Sequence, residues 1–65
     1  MITVRIEPDG EIRTFPALGT VLQLQHRLNL RVNDALIIRG DQLLTPDLAL
    51  RDGDELLVRK VVSRG

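Results

Sequence analysis

Apolar and polar residues alternate from the first positions of the chain. Ile2, Val4 and Ile6 are separated by Thr3, Arg5 and Glu7, and that period of two predicts a β-strand with one buried face. Pro8-Asp9-Gly10 follows, a turn signal with proline suited to the first corner and glycine to the left-handed position. Glu11 to Phe15 reads as the return strand, so residues 2–15 form a hairpin. Pro16 has no N–H to give a ladder and ends it.

The period then changes. Thr20 is a good helix N-cap, and Gln23 three residues on completes a capping-box pattern. A helix is expected from Val21 to Leu28 or Asn29. Its apolar stripe is Val21, Leu24 and Leu28, widened by Leu22, with Gln23, Gln25 and Arg27 on the wetter side. Asn29 tolerates the left-handed geometry that stops a helix. Ala35 to Arg39, nearly all apolar, predicts a strand buried on both faces. Gly40-Asp41 turns the chain into a short strand, Gln42 to Leu44. Thr45-Pro46-Asp47 breaks the chain again, and Leu48 and Leu50 are expected to dip into the core from an irregular connection. Asp52-Gly53-Asp54 forms a turn, and Glu55 to Val62 is the last strand.

Strand, strand, helix, strand, short strand, strand is an α+β order, with a mixed sheet of four to five strands packed on one helix. The first and last strands are the natural central pair, parallel, with the helix in the crossover. That arrangement is the β-grasp. Residues 1–62 are expected to form the domain and 63–65 a flexible C-terminal tail.

Composition narrows the function classes. Sixty-five residues allow one domain. Cysteine is absent, which removes disulfides, thiolate catalysis and cysteine-based metal sites together. Nine basic and nine acidic side chains cancel and are interspersed, so the basic stripe of a nucleic-acid binder is missing. No run approaches the ~18 apolar residues of a membrane span, and the start lacks the apolar core of a signal peptide. A cytoplasmic protein without nucleic-acid or membrane partners is expected. Asp52-Gly53-Asp54 offers too few oxygens for a hard cation, and His26, the single histidine, has no neighbouring ligand, so no metal site is expected.

Four features together resemble a known family, the ubiquitin-like sulfur carriers of the ThiS and MoaD type. They are the N-terminal Val-x-Ile hairpin, the Gly19-Thr20-Val21 helix start, Leu50-Arg51-Asp52-Gly53-Asp54 before the last strand, and glycine at position 65. The eleven residues from Glu55 to Gly65 also match the usual distance from that turn to the family's terminus. The resemblance implies a protein that is not itself an enzyme and binds no cofactor. An adenylating, ubiquitin-activating-like partner spends ATP on the carboxylate of Gly65 and converts it to a thiocarboxylate. A sulfur-accepting synthase then takes the sulfur, thiazole synthase for thiamine first and the molybdopterin synthase large subunit second. Ser63 and Arg64 are the flexible arm. Glycine suits such a tail because an unhindered, side-chain-free end threads a narrow channel. The family normally ends Gly-Gly, whereas here Arg64 precedes Gly65. Either the chain closes in this way or a further glycine follows.

Arg59 and Lys60 beside the tail are candidates for partner contact. If Leu56 and Val58 face the helix, Leu57 and Val61 lie on the open face of the sheet. There they form a protein-binding patch with Arg59 between them, or they pack beneath the Thr45 to Leu50 connection. Two other functions fit parts of the sequence. A ubiquitin-like interaction module would use the same face without thiocarboxylate chemistry. A small RNA-binding module would share Arg31-Val32-Asn33 and Asp52-Gly53-Asp54-Glu55-Leu56, but it needs basic helices where residues 1–16 read as a hairpin.

Overall fold

A computed structural model describes residues 1–61. Five strands and one α-helix follow in the order β1 (Ile2–Glu7), β2 (Glu11–Phe15), α1 (Val21–Arg27), β3 (Ala35–Arg39), β4 (Gln42–Leu44) and β5 (Glu55–Lys60). A single turn of 3-10 helix, Val32–Asp34, precedes β3. The strands form one mixed sheet in the order β2-β1-β5-β3-β4. β1 and β5 lie parallel at its centre, with Val4 opposite Leu56 and Ile6 opposite Val58. The remaining pairings are antiparallel. The domain is therefore small, α+β, with one α-helix and a five-stranded mixed sheet.

The alternation in β1 has the predicted consequence. Ile2, Val4 and Ile6 are buried, and they join Phe15, Val21, Leu24, Ile37, Leu56 and Val58 in one core between helix and sheet. Leu50 enters this core and Leu48 packs against it, as expected of the irregular connection. The hairpin turn closes with Gly10 at φ 74° and its N–H donating to the Ile6 carbonyl at 2.7 Å.

A seven-residue helix holds its shape through its ends. Thr20 is extended, and its Oγ1 accepts the Gln23 N–H at 3.4 Å. The reciprocal half of the box is displaced by one residue, because Gln23 Oε1 accepts the N–H of Gly19 at 2.6 Å. Two further first-turn N–H groups, unpaired within any helix, donate to the 45–50 connection: Val21 to the Leu48 carbonyl and Leu22 to that of Pro46, both at 3.0 Å. At the other end Leu28 is the C-cap and Asn29 is left-handed at φ 61°. The N–H of Asn29 bonds the His26 carbonyl at 3.0 Å and that of Leu30 the Gln25 carbonyl at 2.8 Å. Those two bonds are the Schellman pattern, with asparagine in the glycine position.

Four expectations need correction. α1 stops at Arg27, one to two residues early, because Leu28 and Asn29 are spent on the cap. Gln25 is 2% exposed and Leu22 38%, the reverse of the expected polarity. At 100° per residue Gln25 lies about 40° from Val21 and Leu22 about 100° away, so geometry puts Gln25 on the stripe with Val21, Leu24 and Leu28. β3 is buried on one face only: Ala35 and Ile37 are in the core, while Leu36 is 42% exposed and Ile38 half-buried. β5 ends at Lys60 instead of running through Val61; Val62 lies outside the described residues.

Candidate functional site

Strand alternation in β5 sends Leu56 and Val58 into the core and Leu57 and Arg59 to the other face of the sheet. Register fixes their neighbours. Leu57 stands opposite Arg5 of β1 and Ile38 of β3. Arg5 in turn stands opposite Ile12, and Ile38 opposite Leu43. One row, Ile12-Arg5-Leu57-Ile38-Leu43, therefore crosses all five strands on the open face. With neighbouring strands ~4.8 Å apart, the row is about 19 Å long. Beside it runs a second row, Glu7-Arg59-Leu36.

Several large apolar side chains on this face are exposed to solvent. Ile12 is 60%, Leu43 58% and Val61 53% exposed. A shallow depression of about 340 Å³ lies between Arg5, Glu7, Ile12, Ile38 and Leu57. The 45–50 connection does not cover it. That segment crosses on the helix side, where Thr20 and Ala49 form an isolated antiparallel bridge and Leu50 N–H bonds the Gly19 carbonyl at 3.0 Å. Of the two readings of Leu57 and Val61, the structure leaves the open one.

Leu57 and Arg59 thus share the open face as expected. Val61, immediately past the strand, is fixed by its N–H donating to the Asp34 carbonyl at 2.9 Å. Lys60 is separated from them. Its parity is that of Val58, and its Nζ pairs with Asp9 Oδ2 at 2.9 Å, tying the end of β5 to the hairpin turn. The hydrogen bond to Asp9, reinforced by its charge, raises the Lys60 ammonium above the usual lysine range. Ser63, Arg64 and Gly65 lie outside the described residues.

The turn before β5 is structural. Gly53 is left-handed at φ 91°. The Asp54 carboxylate accepts the Arg51 N–H at 2.8 Å and an Arg39 guanidinium N–H at 3.1 Å, and its carbonyl accepts the Thr3 N–H at 3.0 Å. Those bonds lock the start of β5 to β1 and β3. Among the described residues no group of three or more His, Asp or Glu side chains is placed to hold a metal, and no helix is long and apolar enough to cross a membrane. His26 is exposed, away from the open face.

Sequence reasoning missed Arg5, Ile12, Leu36, Ile38 and Leu43 as parts of this face. The signal was present in β2, where Ile12 alternates with polar neighbours, and in β3, where Leu36 and Ile38 cannot share a side with Ile37. Compared with protein-family models and with curated proteins, the sequence matches none.

Proposed function

We propose that the chain is a β-grasp sulfur carrier, a rigid base that presents a glycine-ended tail to partner enzymes. The observation that carries the reading is the position of β5. The last strand is central, hydrogen-bonded on both sides, and secured at its end by Val61 and by the Lys60–Asp9 pair. Whatever follows Val61 therefore leaves from a fixed point at one pole of the sheet, flanked by the apolar open face. A partner docked on that face holds the anchored end of β5, and Gly65 follows Val61 by four residues.

In this reading the carboxylate of Gly65 attacks the α-phosphate of ATP in the partner's site. The acyl-adenylate forms and pyrophosphate leaves. A reduced sulfur nucleophile then displaces AMP, and the terminal carboxylate becomes a thiocarboxylate with one oxygen replaced by sulfur. Thiamine thiazole formation is the first candidate for the acceptor and molybdopterin synthesis the second. Apart from that carboxylate, none of these steps uses a base, nucleophile or metal of this chain. The carrier supplies an acyl carbon with little steric hindrance and a docking face centred on Leu57, Arg59 and Val61.

The exposed row on the open face also favours a second reading, a ubiquitin-like interaction module that docks through the same surface and never acquires sulfur. Deletion of Arg64-Gly65 separates the two. A carrier loses ATP-dependent activation by the adenylating enzyme while its affinity for that enzyme changes little. If the truncated chain retains full activity in its cells, the carrier reading fails and the interaction module stands.

A further inference from the structure

The buried amide of Gln25 sits beside a gap in the sheet edge. β4 pairs only with Ile37, Ile38 and Arg39 of β3, so no ladder partner stands opposite Ala35 on that side. The Val61 N–H bonds the Asp34 carbonyl, and antiparallel alternation then turns the N–H and C=O of Ala35 away from β5, toward the missing continuation of β4. That continuation is not available to the chain itself. Pro46 has no N–H, and its carbonyl is already taken by Leu22. The chain turns off toward the helix and leaves a cleft of about 140 Å³ between Gln25, Val32, Ala35, Leu36, Leu43 and Pro46.

Gln25 is 2% exposed. Its Nε2 donates to the Val32 carbonyl at a long 3.5 Å, and this contact sets the amide orientation, since the flipped amide would place two oxygens face to face. Its Oε1 accepts no hydrogen bond among the described residues. A buried acceptor without a donor is uncommon and costly, and this one lines a cleft whose other walls are mostly aliphatic.

We propose that this notch receives one aliphatic side chain of a partner polypeptide, which docks in extended form beside Ala35, the one residue of β3 whose ladder groups face that edge without a strand partner. The cleft has room for a leucine-sized group. The partner's backbone continues the ladder opposite Ala35, and the Gln25 amide, its oxygen enclosed before docking, turns into the cleft to accept one of the partner's N–H groups. Strand addition of this kind takes affinity from main-chain bonds and specificity from a side-chain pocket. The site is on the sheet edge, where it shares Leu36 and Leu43 with the margin of the open face, and it does not depend on the carrier reading.

The test is a titration of the isotope-labelled protein with N-acetyl-leucine N-methylamide, followed through backbone and side-chain amide resonances. Saturable shifts are expected at the Ala35 N–H and at the Gln25 side-chain amide, with affinity in the millimolar range typical of so small a ligand. The alanine analogue should bind about tenfold more weakly, because it buries fewer methylenes. Gln25→Leu, which removes the acceptor, and Leu43→Lys, which removes an exposed wall, should each weaken the leucine response several-fold. Leu43 is on the surface, so that variant folds even if Gln25→Leu does not. Absence of saturable shifts, equal response to the alanine analogue, or shifts unchanged by Leu43→Lys would overturn the proposal. So would a long-lived water bound at Gln25 that the leucine probe does not displace.

Discussion

Leu56 and Leu57 are adjacent, chemically identical and on opposite faces of the same central strand, so truncating each to alanine isolates what the core and the open face contribute. Leu56 is 4% exposed and stands opposite Val4, itself 0% exposed. Removing its three distal carbons forfeits about 2.4 kcal/mol of transfer free energy, and the cavity left between helix and sheet brings the cost to ~2–5 kcal/mol. A domain of this size has a total stability of roughly 3–10 kcal/mol. Leu56→Ala therefore removes a large fraction of the stability, or all of it. Leu57 is half-buried with one side toward solvent, so Leu57→Ala loses about half the transfer term, ~1 kcal/mol, with no enclosed cavity. Thermal melting followed by circular dichroism reads both. At ~4–8 °C per kcal/mol for small domains, the Leu57 variant should melt less than about 10 °C below the parent chain. The Leu56 variant should melt at least twice as far below it, or be unfolded at room temperature. Equal losses would refute the assignment of faces, and with it the open docking surface.

Other consequences follow from the helix ends and the sheet pole. Asn29→Val forces a β-branched residue into the left-handed cap and should cost ~1–2 kcal/mol in denaturant unfolding, whereas Asn29→Gly should match or exceed the parent. Thr20→Ala removes the N-cap acceptor and should cost about 1 kcal/mol by the same assay. Lys60 should titrate, by nitrogen-detected NMR, above the ordinary lysine value of ~10.4, and Asp9→Asn should lower it toward that value, with Glu11 still acting to raise it. Because its folded value is the raised one, the stabilisation from this pair is fully present below pH ~10.4 and is lost as pH rises through the folded value.

The arrangement of the chain was legible because periods of two and 3.6 and a few turn residues acted together. The hairpins at Pro8-Asp9-Gly10 and Gly40-Asp41 follow from local signals, and the parallel pairing of β1 with β5 follows from the order of elements and the crossover through the helix. What failed did so where residue type was read in place of geometry. Gln25 was assigned outward for its polarity, although its angular position puts it in the buried stripe. Leu36 and Ile38 are expected to be buried for being apolar, although the helix covers only the face of β3 that carries Ala35 and Ile37. The same habit hid the open face, since Ile12 and Leu43 carry no chemistry that marks them until register aligns them with Arg5, Leu57 and Ile38. The 3-10 turn at Val32–Asp34 had no periodic signal. It rests on Asp34 Oδ2 accepting the Arg31 N–H at 2.9 Å, a local bond in a stretch too short to show a pattern.

The carrier reading is tested most directly by the intact mass of the protein isolated from its own cells, with fragmentation of its C-terminal peptide. A glycine terminus with one carboxyl oxygen exchanged for sulfur is the expected result. An unmodified terminus that persists after incubation with ATP, sulfide and the cell's adenylating enzyme would contradict it.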